Sequence, residues 1–374
     1  MPIPGIASGR LHSIVVVLSL LMAACSGGST SPETGAASAS APARGTTAPT
    51  PSSTPEPTPL PLPDHDLQAA QTWFSPNMGS VDFPELFSHP DLWATARDAV
   101  GVFQFYANSV SGDPYDIGGD NVLETFVEVD AFAHLYEWDI PVAIEAGVIK
   151  FFACTHGSWA EYANRAIDNI EANGGRVSFI AMDEPLLGGQ LVEGGTTCGY
   201  TMEEAAAEVA AFVVAVHDKH PDVRIGTIET SPPQTVHEID AWMAALEAAG
   251  ATPAFLHLDV EVADGIANPA FVAELAWLRD ATEARGIPFG LILTADWQVA
   301  TSDATYVESV RQWALAIGDG MGRPTHVVFQ SWMGPAASGF HEIPINLPDD
   351  DPASFSHTRL IIDGLELLDG AGGS

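Results

Sequence analysis

The chain has 374 residues, 46% of them hydrophobic, with 49 acidic against 13 basic side chains and a formal net charge of −36. A surface this acidic, with Lys150 and Lys219 as its two lysines, argues against nucleic-acid partners and against a peripheral hold on anionic lipid. Solubility or a salty habitat accounts for it. In chain order, Arg10 and His12 precede the apolar run SIVVVLSLLMAAC, which is too short to span a bilayer comfortably and has the form of a secretion signal. Residues 1–24 are therefore read as a signal segment. Residues 25–64 are dominated by Pro, Ser, Thr and Ala, a composition that cannot fill a core and makes a tether reaching roughly 35 Å as a random coil. Residues 65–374 carry the apolar content of one large globular body.

From residue 71 a unit of strand, loop and amphipathic helix recurs. The strand candidates are 72–79, 101–110, 141–149, 177–185, 224–231, 255–261, 288–297 and 326–332. Helix starts are signalled by Ser158 with Glu161, Thr201 with Glu204, and Asn268 before Pro269, and helix ends by Gly174–Gly175 and Gly286, which follow from capping chemistry. Strand and helix alternating eight times, with strands apolar on both faces, predicts an α/β fold of eight parallel strands closed into a single (β/α)8 barrel. An open doubly wound sheet is the rival, but SVSGDPYDIGGD does not supply the glycine-rich phosphate turn expected of it.

Chemistry in such barrels sits where strands end, and the polar residues gather there. The second strand ends at Tyr106 and Asn108. The third offers Glu145, the fourth Asp183 and Glu184, and the fifth Glu229. The sixth carries His257, Asp259 and Glu261 in alternation, hence on one face. The seventh ends at Thr294, Asp296 and Trp297, the eighth at Gln330 and Trp332. Crowded carboxylates repel one another, so some stay protonated near neutral pH while others ionise. Glycosidic cleavage requires that mixture. Trp159, Tyr106, Phe340 and the tryptophans just named offer flat rings for stacking on sugars; His257 reads as a core histidine or a supporting partner ahead of a catalyst. Cys154 and Cys198 fall in loops on the same face, where a disulfide would restrain the loop after the fourth strand.

MDEP, residues 182–185, resembles the Asn-Glu-Pro motif of the clan of retaining (β/α)8 glycoside hydrolases. The resemblance implies Glu184 as acid/base catalyst, Asp183 as the neighbour holding a sugar hydroxyl, and Trp332 as the floor of a sugar subsite. The chain departs from the motif in having Asp183 for asparagine. It also has LTADW where the clan places its nucleophilic glutamate on the seventh strand, so Asp296, Glu261, Glu229 or Glu145 is left as the partner carboxylate. At the N-terminus, the small residues before Cys25 resemble the lipobox of bacterial lipoproteins, which implies lipidation at Cys25 and a membrane anchor outside the cytoplasm.

The leading expectation is an exported, monomeric glycoside hydrolase acting on a poly- or oligosaccharide without a cofactor. A carbohydrate-binding lipoprotein on a degenerate barrel is the second. A metal-dependent sugar-processing barrel, with Glu145, Glu184, Glu229, Asp259 and Glu261 as oxygen ligands, is the third.

Overall fold

Runs of β-branched and aromatic residues too short for helices form the strands β1 (Gln71–Ser75), β2 (Val102–Tyr106), β3 (Val142–Gly147), β4 (Val177–Asp183), β5 (Arg224–Ser231), β6 (Leu256–Val260), β7 (Phe289–Leu293) and β8 (His326–Gln330). Each pairs in parallel with the next, and β8 returns to pair with β1 over Gln71–Ser75, so the sheet is a closed barrel. This computed structural model describes residues 60–63, 65–112, 123–149, 158–190, 198–335 and 342–370. Residues 1–59, which include the expected signal segment, Cys25 and nearly all of the expected tether, lie outside the described residues, as do Cys154 and Phe340.

Helices fill every connection. After β1 come α1 (Glu85–Ser88) and α2 (Ala94–Ala99); after β2, α3 (Ala107–Val110), α4 (Leu123–Glu128) and α5 (Ala131–Glu137). The next are α6 (Ser158–Ala172) after β3, α7 (Pro185–Gln190) and α8 (Met202–His217) after β4, and α9 (Val236–Ala248) after β5. The barrel is completed by α10 (Val262–Ala267) and α11 (Pro269–Glu283), α12 (Asp303–Gly320), and α13 (His357–Gly370) after β8. The Thr201–Glu204 capping box forms at the start of α8, and the Asn268 side chain accepts from the Ala270 amide at the start of α11. Among the described residues, no helix is long and apolar enough to cross a membrane.

All eight expected strands are present, and most stop earlier than expected. β1 ends at Ser75 because Pro76 has no N–H for the ladder. β7 ends at Leu293 although apolar residues continue to Ala295; the Asp296 amide donates instead to Ser309 Oγ of α12 at 3.0 Å.

The barrel holds two cores. One lies between strands and helices. The other fills the lower lumen with Trp73, Val102, Ala143, Phe179, Ala181, Ile228, Phe255, Ile292 and Val328. The rings of Trp73, Phe179 and Phe255 are accommodated because small residues stand opposite them. A Cβ on Gly226 would lie 2.4 Å from the Phe255 ring, and one on Gly290 would lie 2.4 Å from the His257 ring. This plug is the floor on which the candidate site stands.

Candidate active site at the barrel mouth

Side chains alternate along a strand, so the plug residues fix which positions face the lumen. Two residues beyond the uppermost plug side chains lie Ser75, Gln104, Glu145, Asp183, Thr230, Thr294 and Gln330; on β6 the corresponding level is reached by Asp259, paired with Thr230. Each strand thus contributes a polar side chain directly above an apolar floor, and three of these are carboxylates.

Glu145 anchors one half of this layer. Its Oε2 accepts from Gln104 Nε2 at 2.9 Å and from Gln330 Nε2 at 2.5 Å. Tyr106, one level higher on β2, donates from its hydroxyl to the Ser331 carbonyl at 2.9 Å and lies 3.4 Å from Gln330 Nε2. Burial and the nearby Glu145 charge push the Tyr106 phenol well above its ordinary range, so it acts as a hydrogen-bonding group and not as a phenolate.

Glu184 belongs to the other half. Pro185 disfavours helical backbone in the residue before it, and Glu184 adopts the left-handed region at φ 47°. Only surroundings that over-determine the backbone keep a non-glycine residue there. The Glu184 amide donates to the Ile228 carbonyl at 3.0 Å, tying the turn to β5, and the Glu184 carbonyl accepts from Gly188 at 2.8 Å, closing the first turn of α7. Asp259 is pushed well above the usual carboxylate range, first by desolvation, then by the charges of Glu184 and Asp183. A proton is therefore held in this group of three acids at pH values where an isolated aspartate has lost it.

Other residues singled out from the sequence fall elsewhere. Glu229 is fully buried, but it alternates with the lumen-facing Ile228 and so points outward, into the layer between sheet and helices, against Trp242 of α9. It does not line the mouth. His257 also lies away from the solvent, in the floor. His326 Nε2 stands 2.8 Å from the Leu67 carbonyl and must donate to it, so Nδ1 accepts from His257 Nε2 at 3.0 Å. Desolvation lowers both histidines, His326 to about 4, so the pair is neutral and structural.

Asp296, three residues past β7, accepts from the Gln298 amide at 2.8 Å. It lines a groove of about 700 Å³ between α10 and α12, with Ile266, Val299 and Phe355. Glu261 precedes α10, bonds Trp297 and lies close enough to Asp296 to be raised by it, although desolvation is the larger cause. Trp297 is 58% and Trp332 44% exposed, both on the face where the strands end. Asn108 is exposed on α3, and Trp159 on α6 packs edge-on against Tyr162 at 5.8 Å. Cys198 is disulfide-bonded, while Cys154 lies outside the described residues. No group of three or more His, Cys, Asp or Glu among the described residues is arranged to hold a metal ion.

Sequence reasoning placed Thr294 at the end of the seventh strand and passed over Ser75, Gln104 and Thr230. Gln104 carried a usable signal: a lone amide inside VFQFY, two residues before Tyr106 and hence on the same face.

No family model and no curated protein matches this chain. Among solved structures, a subfamily 18 member of glycoside hydrolase family 5 from Streptomyces cattleya, in complex with Manβ1-4GlcNAc, aligns with a TM-score of 0.51 at 10% identity, covering 80% of this chain and 81% of that one. In fold, the chain is similar to glycoside hydrolases. A 4-O-α-L-rhamnosyl-β-D-glucuronidase from Fusarium oxysporum aligns at 0.48, with 13% identity over 83% of this chain and 73% of that one. A type I 3-dehydroquinate dehydratase from Clostridium difficile aligns at 0.42, with 14% identity over 84% and 98%. At such identities the likeness is one of barrel architecture, and activity has to be argued from the site.

Proposed function

We propose that the protein is a glycoside hydrolase whose catalytic carboxylates are Glu184 and Glu145, with Asp259 sharing the proton that Glu184 delivers. One observation carries this reading: the lumen-facing Asp259 at the barrel mouth is raised first by burial and then by the charges of Glu184 and Asp183. Pairs of acids whose environments push them apart are the means by which a site keeps a proton donor beside an ionised partner.

Glu184, at the rim, protonates the glycosidic oxygen as the bond to the anomeric carbon breaks. Glu145, bonded by two amide donors, is the ionised partner. It either attacks the anomeric carbon or deprotonates the attacking water. Carboxyl groups about 5 to 5.5 Å apart give retention, and about 6.5 to 9.5 Å inversion, so the anomeric configuration of the first product reports their separation. Asp183 and Gln330 offer hydrogen bonds to sugar hydroxyls, and the exposed faces of Trp297 and Trp332 offer stacking surfaces. Export and lipidation at Cys25 complete the proposal; substituting that cysteine should release the protein from the membrane fraction.

The test is release of reducing ends from a panel of neutral poly- and oligosaccharides. The parent releases product, whereas Glu184→Gln and Glu145→Gln lose the rate by about 10²–10⁴-fold while still binding the glycan. An inactive parent across the panel overturns the reading. One observation favours a second reading, a sugar-binding barrel without hydrolysis: the lumen-facing positions at the end of β7 are Ile292 and Thr294, not a carboxylate. Saturable glycan binding by a parent that releases nothing would select it.

A further inference from the structure

We infer that Glu229, on the outer side of the barrel wall, is a positioning residue that holds the Glu184 turn in place from behind. The inference rests on the proposed role of Glu184, and on a convergence of bonds at a carboxyl group that touches neither lumen nor solvent.

Glu229 Oε1 accepts from Trp242 Nε1 of α9 at 2.6 Å and from Thr227 Oγ1 of β5 at 2.9 Å. The backbone amide of Leu186, the second residue of α7, also favours its charged form. Immediately before it, Ile228 receives the Glu184 amide at 3.0 Å. One buried carboxyl therefore ties α9 to β5 through Oε1, one residue from the Ile228 carbonyl that holds the Glu184 amide in left-handed backbone, while its Oε2 is buried with no hydrogen-bond partner among the described residues. Such a conformation persists only when several contacts agree on it.

The groups around it are neutral with one exception. α7 supplies the Leu186 amide and no titratable side chain, α9 the Trp242 indole, β5 the Thr227 hydroxyl, and the paired position on β6 is Leu258. The charge acting on Glu229 is that of Glu184. Desolvation raises Glu229 to about 8, so at neutral pH it holds the turn as an uncharged acid. Ionisation above that value would place a second negative charge behind Glu184.

Two measurements on the full chain test this, one independent of catalysis. In hydrogen–deuterium exchange, Glu229→Ala is expected to speed exchange of the Glu184 and Gly188 amides about tenfold or more, with other barrel amides unaffected; Glu229→Gln restores protection. In hydrolysis, Glu229→Ala lowers kcat about tenfold or more with KM within about twofold. Glu229→Gln recovers kcat and abolishes the rate loss centred near pH 8. Trp242→Phe, which keeps the carboxyl and removes one donor, gives an intermediate effect and serves if Glu229→Ala does not fold. Unchanged exchange and unchanged kcat in these variants overturn the inference. Faster local exchange in Glu229→Ala, with a parent that hydrolyses nothing, supports the brace and removes the proposed function, so the two failures are distinguishable.

Discussion

Gln330, the last residue of β8, donates to Glu145 of β3 at 2.5 Å, joining two strands that have β1 and β2 between them. With Gln104 on the same oxygen, this bond holds a carboxylate in the lumen by donors that remain neutral at every pH. Both bonds fall on Oε2, so a glutamine at position 145 can accept both on its one carbonyl oxygen. We expect Glu145→Gln to lower kcat by about 10²–10⁴-fold and to leave stability within about 1 kcal/mol. Gln330→Ala should cost about tenfold in kcat through loss of orientation. Steady-state kinetics with thermal denaturation decide this, and a Glu145→Gln variant with the parent's kcat contradicts it.

Glu229 makes a prediction about stability that does not involve substrate. Its folded-state value of about 8 lies above the ordinary 4.5, so the folded chain holds its proton more tightly than the unfolded chain does. The associated stability is fully present below about pH 4.5 and is lost as pH rises to about 8, remaining constant beyond. Glu229→Gln does not titrate, so the difference between variant and parent should change over that window by up to about 5 kcal/mol. Urea denaturation at several pH values measures it; a pH-independent difference contradicts the buried, protonated assignment.

The floor of the site depends on a missing side chain. Gly290 faces the His257–His326 pair, and a Cβ there would lie 2.4 Å from His257 and 2.8 Å from the Cβ of His326. Gly290→Ala is expected to destabilise by about 1–3 kcal/mol and to break the histidine pair. Thermal denaturation with imidazole proton NMR checks this. An unchanged melting temperature with the bonded imidazole proton still present would mean that the floor has room to spare.

The exposed tryptophans should act on binding more than on chemistry. Trp332→Ala and Trp297→Ala are each expected to raise KM about tenfold with kcat within about threefold, the pattern of a stacking platform. Kinetics on one oligosaccharide series measure both quantities. A fall in kcat at constant KM would instead place the ring in the transition state.

The eightfold alternation of short apolar strands with amphipathic helices, together with the helix caps, made the barrel legible from sequence. The orientation of individual acids was not. In a parallel sheet covered by helices both strand faces are apolar, so nothing in RIGTIETS tells whether Thr227 and Glu229 or Gly226 and Ile228 face the lumen. Register with β4 and β6 decides it, and sends Glu229 outward. The end of β7 was similarly hidden: the apolar run continues past Leu293, but the chain there turns toward Ser309. His257 read as one face with Asp259, correctly, yet its level in the barrel depends on how much of the lumen the plug fills.

The central claim is that burial and the nearby Glu184 and Asp183 charges make Asp259 keep its proton well above the pH at which an ordinary aspartate loses it. Carboxyl carbon-13 NMR titration of the parent beside Asp259→Asn and Glu184→Gln tests it most directly. The account predicts that Asp259 titrates well above an ordinary aspartate in the parent, and that Glu184→Gln lowers this value while burial keeps it raised. Two steps near pH 4, unmoved by either substitution, would contradict it.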